Sequence, residues 1–441
     1  MPAPLLAIES SPVLPSAADV VVIGGGIAGV SAAYYLARRG VSVALVEKGR
    51  IGAEQSSRNW GWCRQQNRDV RELPLATRSL ELWDRLAGEI GADLGFSRCG
   101  LLYLSDDEAE IARWAAWRDM ARHHGVTTHI LDAAEAAERG RATGKAWKGG
   151  VFSPSDGIAD PSRAAPIIAR GVMAAGGTVH QMCAARGLEL ASGRIAGVVT
   201  EKGTIRTATV VHAGGAWTSS FCRQVGIDFP QASVRSSILA VAPVDATLPD
   251  ALHTARVSVT RRGSGGWTLA VSGKARVDPT LQQLRFARQF VPMFLGRWRS
   301  LAVGGLEGLR GGHETLARWA LDRPTPMEAN RILDPKPDRG QIEVTRRRAG
   351  ILLPALADAP VTAAWAGYID STPDGVAAIG GYDRLPGFIL ASGLSGHGFG
   401  VGPGIGHLVA DLITGATPIV DPAPYDPRRL DASVWGRVAQ F

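Results

Sequence analysis

Three glycines near the start of the chain have the spacing that brings a peptide backbone close to a phosphate group. Gly24, Gly26 and Gly29 form a G-x-G-x-x-G pattern, and Glu47 follows further along the chain. The first glycine allows a tight turn, the second allows the backbone to approach a pyrophosphate, and the third allows a helix to pack on a strand. A carboxylate at the position of Glu47 is suited to accept hydrogen bonds from a ribose. The pattern therefore predicts dinucleotide binding.

The residues around these glycines predict the elements that hold them. Val20–Ile23 indicates a short buried strand, and the apolar residues up to about Arg39 indicate a helix that stops at Gly40. Ser42–Val46 indicates a second strand. Together they form a βαβ unit whose helix N-terminus presents N–H groups to an anion. An NAD-linked dehydrogenase would use the same unit, so these residues leave the identity of the dinucleotide open.

The uncharged stretch from Val20 to Ala37 allows a second interpretation, a membrane-spanning helix. It contains the Gly25-x-x-x-Gly29 spacing found where transmembrane helices associate. Three consecutive glycines, however, would weaken the centre of such a helix, and the residues before them favour a strand. We therefore expect no transmembrane span.

Two later segments are also rich in glycine and follow predicted strands. The first ends in the sequence AGGAWT, which closes at Trp217. In the second, the strand Phe388–Ala391 leads into Ser392–Gly404, and a helix is predicted over Ile405–Ile413. This second segment predicts another helix N-terminus that is approached through a glycine loop.

Four motifs in this order resemble the flavoprotein family of D-amino-acid oxidase, glycine oxidase and sarcosine oxidase. They are GGGIAGVSAAYYLARRGVSVALVEK, AGGAWT, STPDGVAAIGG and SGLSGHGFGVGPGIG. The stretch SSRNWGWCRQQ resembles a bacterial branch that includes amino-acid dehydrogenases and L-amino-acid oxidases. The resemblance spans most of the chain and implies a bound FAD. Because the matching C-terminal loop lacks the cysteine that sarcosine oxidases link to flavin, the FAD is expected to be non-covalent.

The resemblance also implies which residues contact the cofactor. The matching positions are Gly24, Gly26, Ile27, Ala28, Gly29, Glu47, Lys48, Ser56, Ser57, Arg58, Asn59, Trp60, Gly61, Ala185, Gly214, Trp217, Gly393, Gly396, His397, Gly398, Phe399 and Gly400. In this scheme the N–H groups of the C-terminal loop lie at the pyrimidine edge of the flavin. Reduction places negative charge at that edge, and fixed donors stabilise it.

The implied reaction is the oxidative deamination of an α-amino acid. A hydride passes from Cα to flavin N5, and the resulting imine hydrolyses to a 2-oxo acid and ammonia. Oxygen, giving hydrogen peroxide, or another electron acceptor would then reoxidise the flavin. The SSRNWGWCR stretch favours L-amino acids, and a D-amino-acid or N-methyl-amino-acid (sarcosine or glycine type) enzyme is the alternative. A non-catalytic flavin-binding electron-transfer partner is the second alternative.

The substrate carboxylate needs an anchor, and the sequence departs from the family at that point. Many relatives carry an arginine shortly before the TPDG element, whereas this chain reads WAGYIDSTPDG. Arg64, with Gln65, is the first candidate for a replacement, because a guanidinium can bind a carboxylate through two bonds. Tyr368 could donate a second bond, Trp62 could line the pocket, and His397 could act as a neutral donor. Each of these residues could instead serve packing alone, or pair with another group.

Composition limits the partners and the compartment. The chain has 441 residues and a formal net charge of +7, but no long basic block, so no nucleic-acid partner is expected. Arginines stand beside aromatic residues from Thr280 to Leu301, where solvated faces and ion pairs are expected. The four cysteines form no Cys-x-x-Cys pair, which predicts no metal site and favours the cytoplasm. A homo-oligomer is left open.

The predicted fold class is α/β, with a Rossmann-like FAD-binding domain into which an α+β substrate domain is inserted. The substrate domain is expected to be built on an antiparallel sheet. The FAD-binding domain is predicted over residues 18–88, 150–230 and 350–441, and the substrate domain over residues 89–149 and 231–349. Residues 1–17 are predicted to form a flexible tail.

Overall fold

The computed structural model describes residues 3–140 and 143–439. The helices are α1 (Ile27–Arg38), α2 (Leu73–Ile90), α3 (Glu108–Arg122), α4 (Ala133–Arg139), α5 (Ala164–Ala174), α6 (Thr218–Gln224), α7 (Leu281–Arg297), α8 (Glu307–Gly311), α9 (Pro326–Ala329), α10 (Arg339–Leu352) and α11 (Gly398–Thr414). The strands are β1 (Val20–Ile23), β2 (Val43–Val46), β3 (Trp62–Cys63), β4 (Leu101–Ser105), β5 (His129–Leu131), β6 (Gly149–Ser153), β7 (Gly157–Ile158), β8 (Thr178–His180), β9 (Ala185–Ala191), β10 (Arg194–Thr200), β11 (Gly203–Arg206), β12 (Thr209–His212), β13 (Ala232–Val241), β14 (Ala251–His253), β15 (Ser258–Arg261), β16 (Trp267–Ala270), β17 (Ala275–Val277), β18 (Leu301–Val303), β19 (Val361–Ser371), β20 (Ala378–Tyr382) and β21 (Leu385–Ser392).

A six-stranded sheet carries the predicted βαβ unit. Its order is β20-β21-β12-β1-β2-β8, and all neighbouring pairs are parallel except β20 with β21. β1 and β2 are fully buried because α1, α5 and α11 share a core with them. Gly406 of α11 lies so close to α1 that a Cβ there would be 2.3 Å from the Ser31 carbonyl carbon. The absence of a side chain at Gly406 thus allows the two helices to pack backbone to backbone.

A ten-stranded sheet forms the second large layer. Its order is β18-β17-β13-β16-β15-β14-β4-β6-β5, with β19 also paired to β13. Most pairs are antiparallel, as predicted, but β14 with β4 and β17 with β18 are parallel. A small antiparallel sheet, β11-β10-β9, and the pair β3-β7 complete the architecture. The mixed α/β fold class is therefore confirmed.

The sheets differ from the predicted division of the chain at two strands. β19 was expected in the FAD-binding part, yet it pairs with β13 from Ala232↔Ser371 to Val241↔Val361. β6 pairs with β4 and β5, so it also belongs to the second sheet. The reason is that long-range strand pairing, which a linear pattern does not reveal, decides sheet membership. The other domain boundaries remain predictions.

The N-terminal residues are attached to the body of the protein rather than forming a flexible tail. The N–H of Leu6 donates to the Ser162 carbonyl, and the N–H of Ser11 donates to the Val179 carbonyl. Leu6 also packs against the main core. Main-chain bonds and apolar contact therefore hold residues 3–17, and residues 1 and 2 lie outside the described part.

The C-terminal helix begins earlier than predicted. α11 starts at Gly398, seven residues before the expected Ile405, so most of the glycine loop forms its first turns. Pro403 lies inside the helix, and the Ser79 hydroxyl bridges the backbone there. It donates to the Gly400 carbonyl at 2.8 Å and accepts from the Gly404 N–H at 3.1 Å. No helix in residues 3–140 or 143–439 has the length and apolar character needed to cross a membrane.

Candidate active site

Two adjoining cavities open where the carboxyl ends of β1 and β12 meet the second sheet. Both are lined by five residues, Gly26, Gln55, Ser56, Ala213 and Gly215. The first cavity extends along Glu47 and Trp217. The second has a volume of about 390 Å³ and extends towards the residues before and within the start of α11. An elongated ligand could therefore lie across the start of α1 with one end in each cavity.

The glycine turn between β1 and α1 fits a pyrophosphate group. Gly24 has φ +105°, and a Cβ there would lie 2.4 Å from the Ala213 carbonyl oxygen. A Cβ on Gly29 would lie 1.9 Å from the Gly24 carbonyl oxygen, so this glycine allows helix and strand to pack. The first turn of α1 contains no acidic residue to neutralise the helix dipole. An anion at this helix start is therefore favoured.

Glu47 lies in the first cavity and organises the loop beside it. Its carboxylate accepts from the Gly25 N–H and the Gly49 N–H, each at 2.7 Å. Burial raises the pKa of this carboxyl, while the neighbouring Lys48 lowers it. Lys48 Nζ donates to the Arg331 carbonyl at 2.9 Å and lies 5.0 Å from the centre of the Trp217 ring. Glu47 thus reaches the cavity and also tightens the turn.

The far end of the first cavity is lined by three residues that were predicted to contact the cofactor and by one histidine that was not. Ala185, Gly214 and Trp217 line this cavity. His212 lines it as well, and its ring stacks on Phe221 with centroids 4.4 Å apart. Burial lowers the pKa of His212 to about 3, and neither ring nitrogen has a hydrogen-bond partner among the described residues. His212 is therefore neutral, and its ring is held between Phe221 and Phe388.

The loop that follows β2 reaches both cavities through some of its residues. Ser56 Oγ accepts from the Ile27 N–H at 2.8 Å, which caps α1 from outside the helix. Arg58 donates to the Ala366 carbonyl at 2.7 Å and to Asp334 at 2.6 Å, while its side chain lines the second cavity. Asn59 also lines it and donates to the Ser56 carbonyl at 2.8 Å. These bonds fix the shape of the loop.

Two other residues that were predicted to contact the cofactor lie outside both cavities. Ser57 and Gly61 line neither of the two cavities. The Ser57 hydroxyl donates to the Glu54 carbonyl at 3.3 Å. Gly61 has φ +84°, and a Cβ there would lie 2.5 Å from the Ala159 carbonyl oxygen. Both residues therefore shape the chain instead of facing a ligand.

The C-terminal loop contributes a continuous lining to the second cavity. Its residues Leu394, Ser395, Gly396, His397, Gly398 and Phe399 face that space. Gly393 and Gly400 lie behind it. The Gly393 N–H donates to Asp370 at 3.0 Å, and the Gly400 carbonyl accepts from Trp83 at 2.9 Å. Asp370 also accepts from Gln55 at 2.9 Å, so one buried carboxylate joins two loops that enclose the cavity.

Four of the five predicted substrate residues line the second cavity, namely Trp62, Arg64, Tyr368 and His397. Gln65 does not. Its amide donates to Thr77 at 2.6 Å and accepts from Ser155 at 2.8 Å, on the other side of the chain. Consecutive residues of an extended segment point to opposite sides, so Arg64 and Gln65 cannot both face the cavity. The predicted role of Gln65 in substrate binding is not supported by this position.

Arg64 has a neighbour that the sequence analysis missed. Arg64 Nη1 donates to Tyr103 Oη at 2.9 Å and to the Gln66 carbonyl at 2.6 Å. Arg68 also lines the second cavity, and its Nη1 is buried without a hydrogen-bond partner among the described residues. Burial, followed by the charge of Arg64, lowers the pKa of Arg68 to about 10, so it remains protonated near neutral pH. The Arg-x-x-x-Arg spacing in the sequence could have indicated that Arg68 lies near Arg64.

The same end of the cavity contains a buried histidine and carboxylate pair. His397 Nδ1 lies 3.2 Å from Glu72 Oε2, and both side chains are buried. Burial and the nearby charge of Arg68 lower the pKa of His397 to about 4. Since a carboxylate only accepts hydrogen bonds, the neutral ring carries its proton on Nδ1. Two cations and a neutral imidazole thus surround this end of the cavity.

A βαβ dinucleotide site, a second helix approached through a glycine-rich loop, and two adjoining cavities beside a large sheet together fit a flavin-dependent oxidoreductase. The family of FAD dependent oxidoreductases named DAO matches residues 19–412, and the chain belongs to this family. This match confirms the predicted family and the predicted FAD cofactor. It also confirms the predicted class of enzyme, namely oxidases and dehydrogenases that act on CH–NH2 donors.

Individual relatives match nearly the whole chain. The glycine oxidase of Pseudomonas aeruginosa is 27% identical over 431 residues, covering 92% of this chain and 98% of that protein. The mitochondrial sarcosine dehydrogenase of Mus musculus is 25% identical over 96% of this chain, which matches 42% of that protein. The L-amino acid deaminase of Proteus myxofaciens, solved in complex with anthranilate, superposes with a TM-score of 0.92 at 28% identity over 97% of both chains.

Proposed function

We propose that the protein oxidises L-amino acids to 2-oxo acids and ammonia with bound FAD. The observation that carries the proposal is the pair of arginines, half-buried Arg64 and buried Arg68, at one end of the second cavity. A substrate that always carries a carboxylate suits this end, because charge-assisted bonds in a buried site are strong. The similarity in fold to an L-amino acid deaminase over 97% of the chain supports the choice of L substrates.

In this proposal the two cavities divide the cofactor between them. Gly24, Gly26 and the start of α1 would hold the pyrophosphate, and Glu47 would bind the adenosine half. The N–H groups of Gly396 to Phe399 would meet the isoalloxazine ring in the second cavity. Bound FAD would supply the two-electron acceptor for the hydrogen on the substrate Cα. The rest of the reaction depends on how the protein holds the substrate.

The side chains around the second cavity have separate roles in this scheme. Arg64 and Arg68 would bind the carboxylate and so fix the orientation of Cα, which brings the reacting atoms together. Trp62 and Tyr368 would exclude water from the site. Trp62 is held by its Nε1–H bond to Thr260 at 2.7 Å, and the Tyr368 hydroxyl donates to Asp278 at 3.4 Å. Both side chains are therefore positioned in advance of substrate binding.

A second candidate is the oxidation of glycine or an N-methyl amino acid, which the similarity to glycine oxidase and sarcosine dehydrogenase favours. The carboxylate anchor would serve these substrates equally well. Reoxidation by oxygen or by another acceptor is open in either case. The four free cysteines fit a reducing cytoplasm as the place of action.

The test is an anaerobic titration of the purified, flavin-loaded protein. Pools of L-amino acids, D-amino acids, and glycine with sarcosine are added separately while the visible flavin absorbance is followed. The proposal expects bleaching by the L pool and release of ammonia and a 2-oxo acid. If only one of the other pools bleached the flavin, the substrates would be the amino acids of that pool and not L-amino acids. A flavin that stays oxidised with all three would favour a non-catalytic electron-transfer partner. Admission of oxygen then distinguishes an oxidase, which forms hydrogen peroxide, from a dehydrogenase.

A further inference from the structure

A further arginine reaches the second cavity from another part of the chain. Arg297 is the last residue of α7, and it lines the cavity, as Ser236, Ile238 and Gly273 do. The arginines from Thr280 to Leu301 were expected on solvated faces or in ion pairs, whereas Arg297 is half-buried and its burial lowers its pKa. An arginine keeps its charge in such a place. The cavity therefore contains a cation that none of the roles assigned above requires.

The helix that carries Arg297 is attached to the second sheet. Gln282 and Phe286 are the residues of α7 that the body of the protein covers. The side-chain amide of Gln283 donates to the Ser233 carbonyl at 3.0 Å, and Ser233 belongs to β13. The same strand continues to residues that line the second cavity. Arg297 is thus held by an ordered helix beside a strand that forms part of the cavity wall.

The second cavity has an excess of positive charge. Its charged lining residues in the described part of the chain are one carboxylate, Asp370, and four arginines, Arg58, Arg64, Arg68 and Arg297. Asp334 pairs with Arg58 at 2.6 Å, and the charge of Glu72 acts on Arg68. With these carboxylates counted, four arginines still stand against three acids. An amino acid with an acidic side chain carries a net negative charge in solution, whereas a neutral amino acid is a zwitterion, so the cavity favours the acidic one.

The cationic side chains of the cavity come from two separate parts of the fold. Burial is the main cause of the lowered pKa values of Arg68 and His397, and the charge of Arg64 contributes to both, so these three side chains lie together. Arg297 comes instead from the end of α7. An α-carboxylate held by Arg64 and Arg68 therefore leaves Arg297 for a second acidic group of the same molecule. Because the cavity would also hold the flavin ring, that group has to lie on a short side chain.

We propose that Arg297 selects L-amino acids that carry a second carboxylate, namely aspartate and glutamate. This inference rests on the proposed oxidation of L-amino acids and narrows its substrate class. A guanidinium can hold a carboxylate through two parallel charge-assisted bonds. The amides asparagine and glutamine have nearly the same shape as the two acids but leave the arginine without a counter-charge, which disfavours them. Arg297 thus determines specificity, while Arg64 and Arg68 orient the reacting Cα.

The first experiment compares the acidic amino acids with their amides in anaerobic flavin reduction by the flavin-loaded protein. L-Glutamate and L-aspartate should half-saturate the rate of bleaching at concentrations about tenfold or more below those of L-glutamine and L-asparagine. Arg297→Gln should lose this preference, whereas Arg297→Lys should keep part of it because a positive charge remains. Arg288→Gln is the matched control at an exposed position of the same helix, and it should keep the full preference. Flavin absorbance and circular dichroism report folding of each variant.

A binding experiment without turnover tests the same residue independently of the reaction. Glutarate and pentanoate are unreactive acids of equal chain length that differ in the second carboxylate. Their binding is followed by the change that each causes in the spectrum of the oxidised flavin. Glutarate should bind about tenfold or more tightly than pentanoate to the unmodified protein, and Arg297→Gln should remove the difference.

The two experiments distinguish failure of this inference from failure of the proposed function. Equal binding of glutarate and pentanoate overturns the inference, and so does an unchanged preference for acidic substrates in Arg297→Gln. If neutral L-amino acids reduce the flavin as well as the acidic ones do, the inference is overturned but the proposed function stands. Tighter binding of glutarate through Arg297, without reduction by any L-amino acid, would support the second carboxylate site and overturn the proposed function instead.

Discussion

His397 and Glu72, the residues that cap α11 and α2, lie against each other with Nδ1 and Oε2 3.2 Å apart. Burial lowers the pKa of His397 to about 4, with the charge of Arg68 as the next cause. The ring is therefore neutral at the pH where Glu72 is ionised. Because the ionised carboxylate only accepts hydrogen bonds, the single ring proton of His397 lies on Nδ1. A neutral imidazole at this place adds no third positive charge beside Arg64 and Arg68.

The first prediction concerns the protonation of His397. Its ring signals in a histidine NMR spectrum should not titrate between about pH 8 and about pH 5, since its pKa lies near 4. The nitrogen shifts should show a proton on Nδ1. His397→Gln provides the assignment by removing one set of signals. A midpoint near 6.5, the ordinary histidine value, would contradict the burial of this ring in solution.

The second prediction concerns the carboxylate anchor. Arg64→Gln and Arg68→Gln should each raise KM for the amino acid about 10- to 100-fold, because a hydrogen bond to a charged group contributes about 1.5–3 kcal/mol. Steady-state kinetics with the preferred amino acid measures the effect. Arg78→Gln is the control, since Arg78 is exposed on α2 and pairs with Glu81. If neither KM changes, the anchor lies elsewhere.

The third prediction concerns the glycine turn. Gly24→Ala should weaken FAD binding about 10- to 100-fold, because an alanine at φ +105° stores about 1–3 kcal/mol of strain and its Cβ would meet Ala213. The ratio of flavin to protein absorbance after gel filtration measures occupancy. Gly88→Ala serves as a control within α2, where a Cβ meets nothing within 4 Å. Full flavin content in Gly24→Ala would contradict the geometry of the turn.

The fourth prediction concerns the support of α11. Ser79→Ala should lower the free energy of unfolding by about 1–3 kcal/mol, because the buried Gly404 N–H loses its side-chain acceptor, while the Gly400 carbonyl keeps only its bond from Trp83 Nε1–H. Urea titration of the flavin-loaded protein measures the change. Ser16→Ala, at an exposed serine, should alter stability far less. Equal stability of both variants would show that water replaces the lost hydroxyl.

The fifth prediction concerns stability at acidic pH. Burial and then Arg64 lower the pKa of His253 to about 3 in the folded protein. The unfolded chain takes up a proton below about pH 6.5, while the folded protein does not, so stability is lost as the pH falls. From about pH 7.5 to about pH 5, the unmodified protein should lose about 2 kcal/mol relative to His253→Gln. Urea titrations of both proteins across this pH range measure the free energy of unfolding. If its dependence on pH were the same in both proteins, the prediction would be contradicted.

Local patterns in the sequence determined the dinucleotide-binding half of the protein. The spacing of Gly24, Gly26 and Gly29 between a β-branched strand and an apolar helix predicts the βαβ unit, because glycine is needed where backbones approach within the reach of a Cβ. The ordered motifs also predicted FAD and the family. These features depend on neighbours close in the chain, so a linear pattern contains them.

Tertiary structure decided the features that join distant segments. Arg68, Glu72 and His397 meet only because the N-terminal ends of α2 and α11 lie side by side, and Gln65 turns away because Arg64 takes the cavity side. β19 joined the second sheet through its register with β13, and the outward side of α7 followed from which residues the body covers. Such contacts depend on packing between elements far apart in sequence, where burial and strand pairing, rather than local spacing, determine each side chain's surroundings.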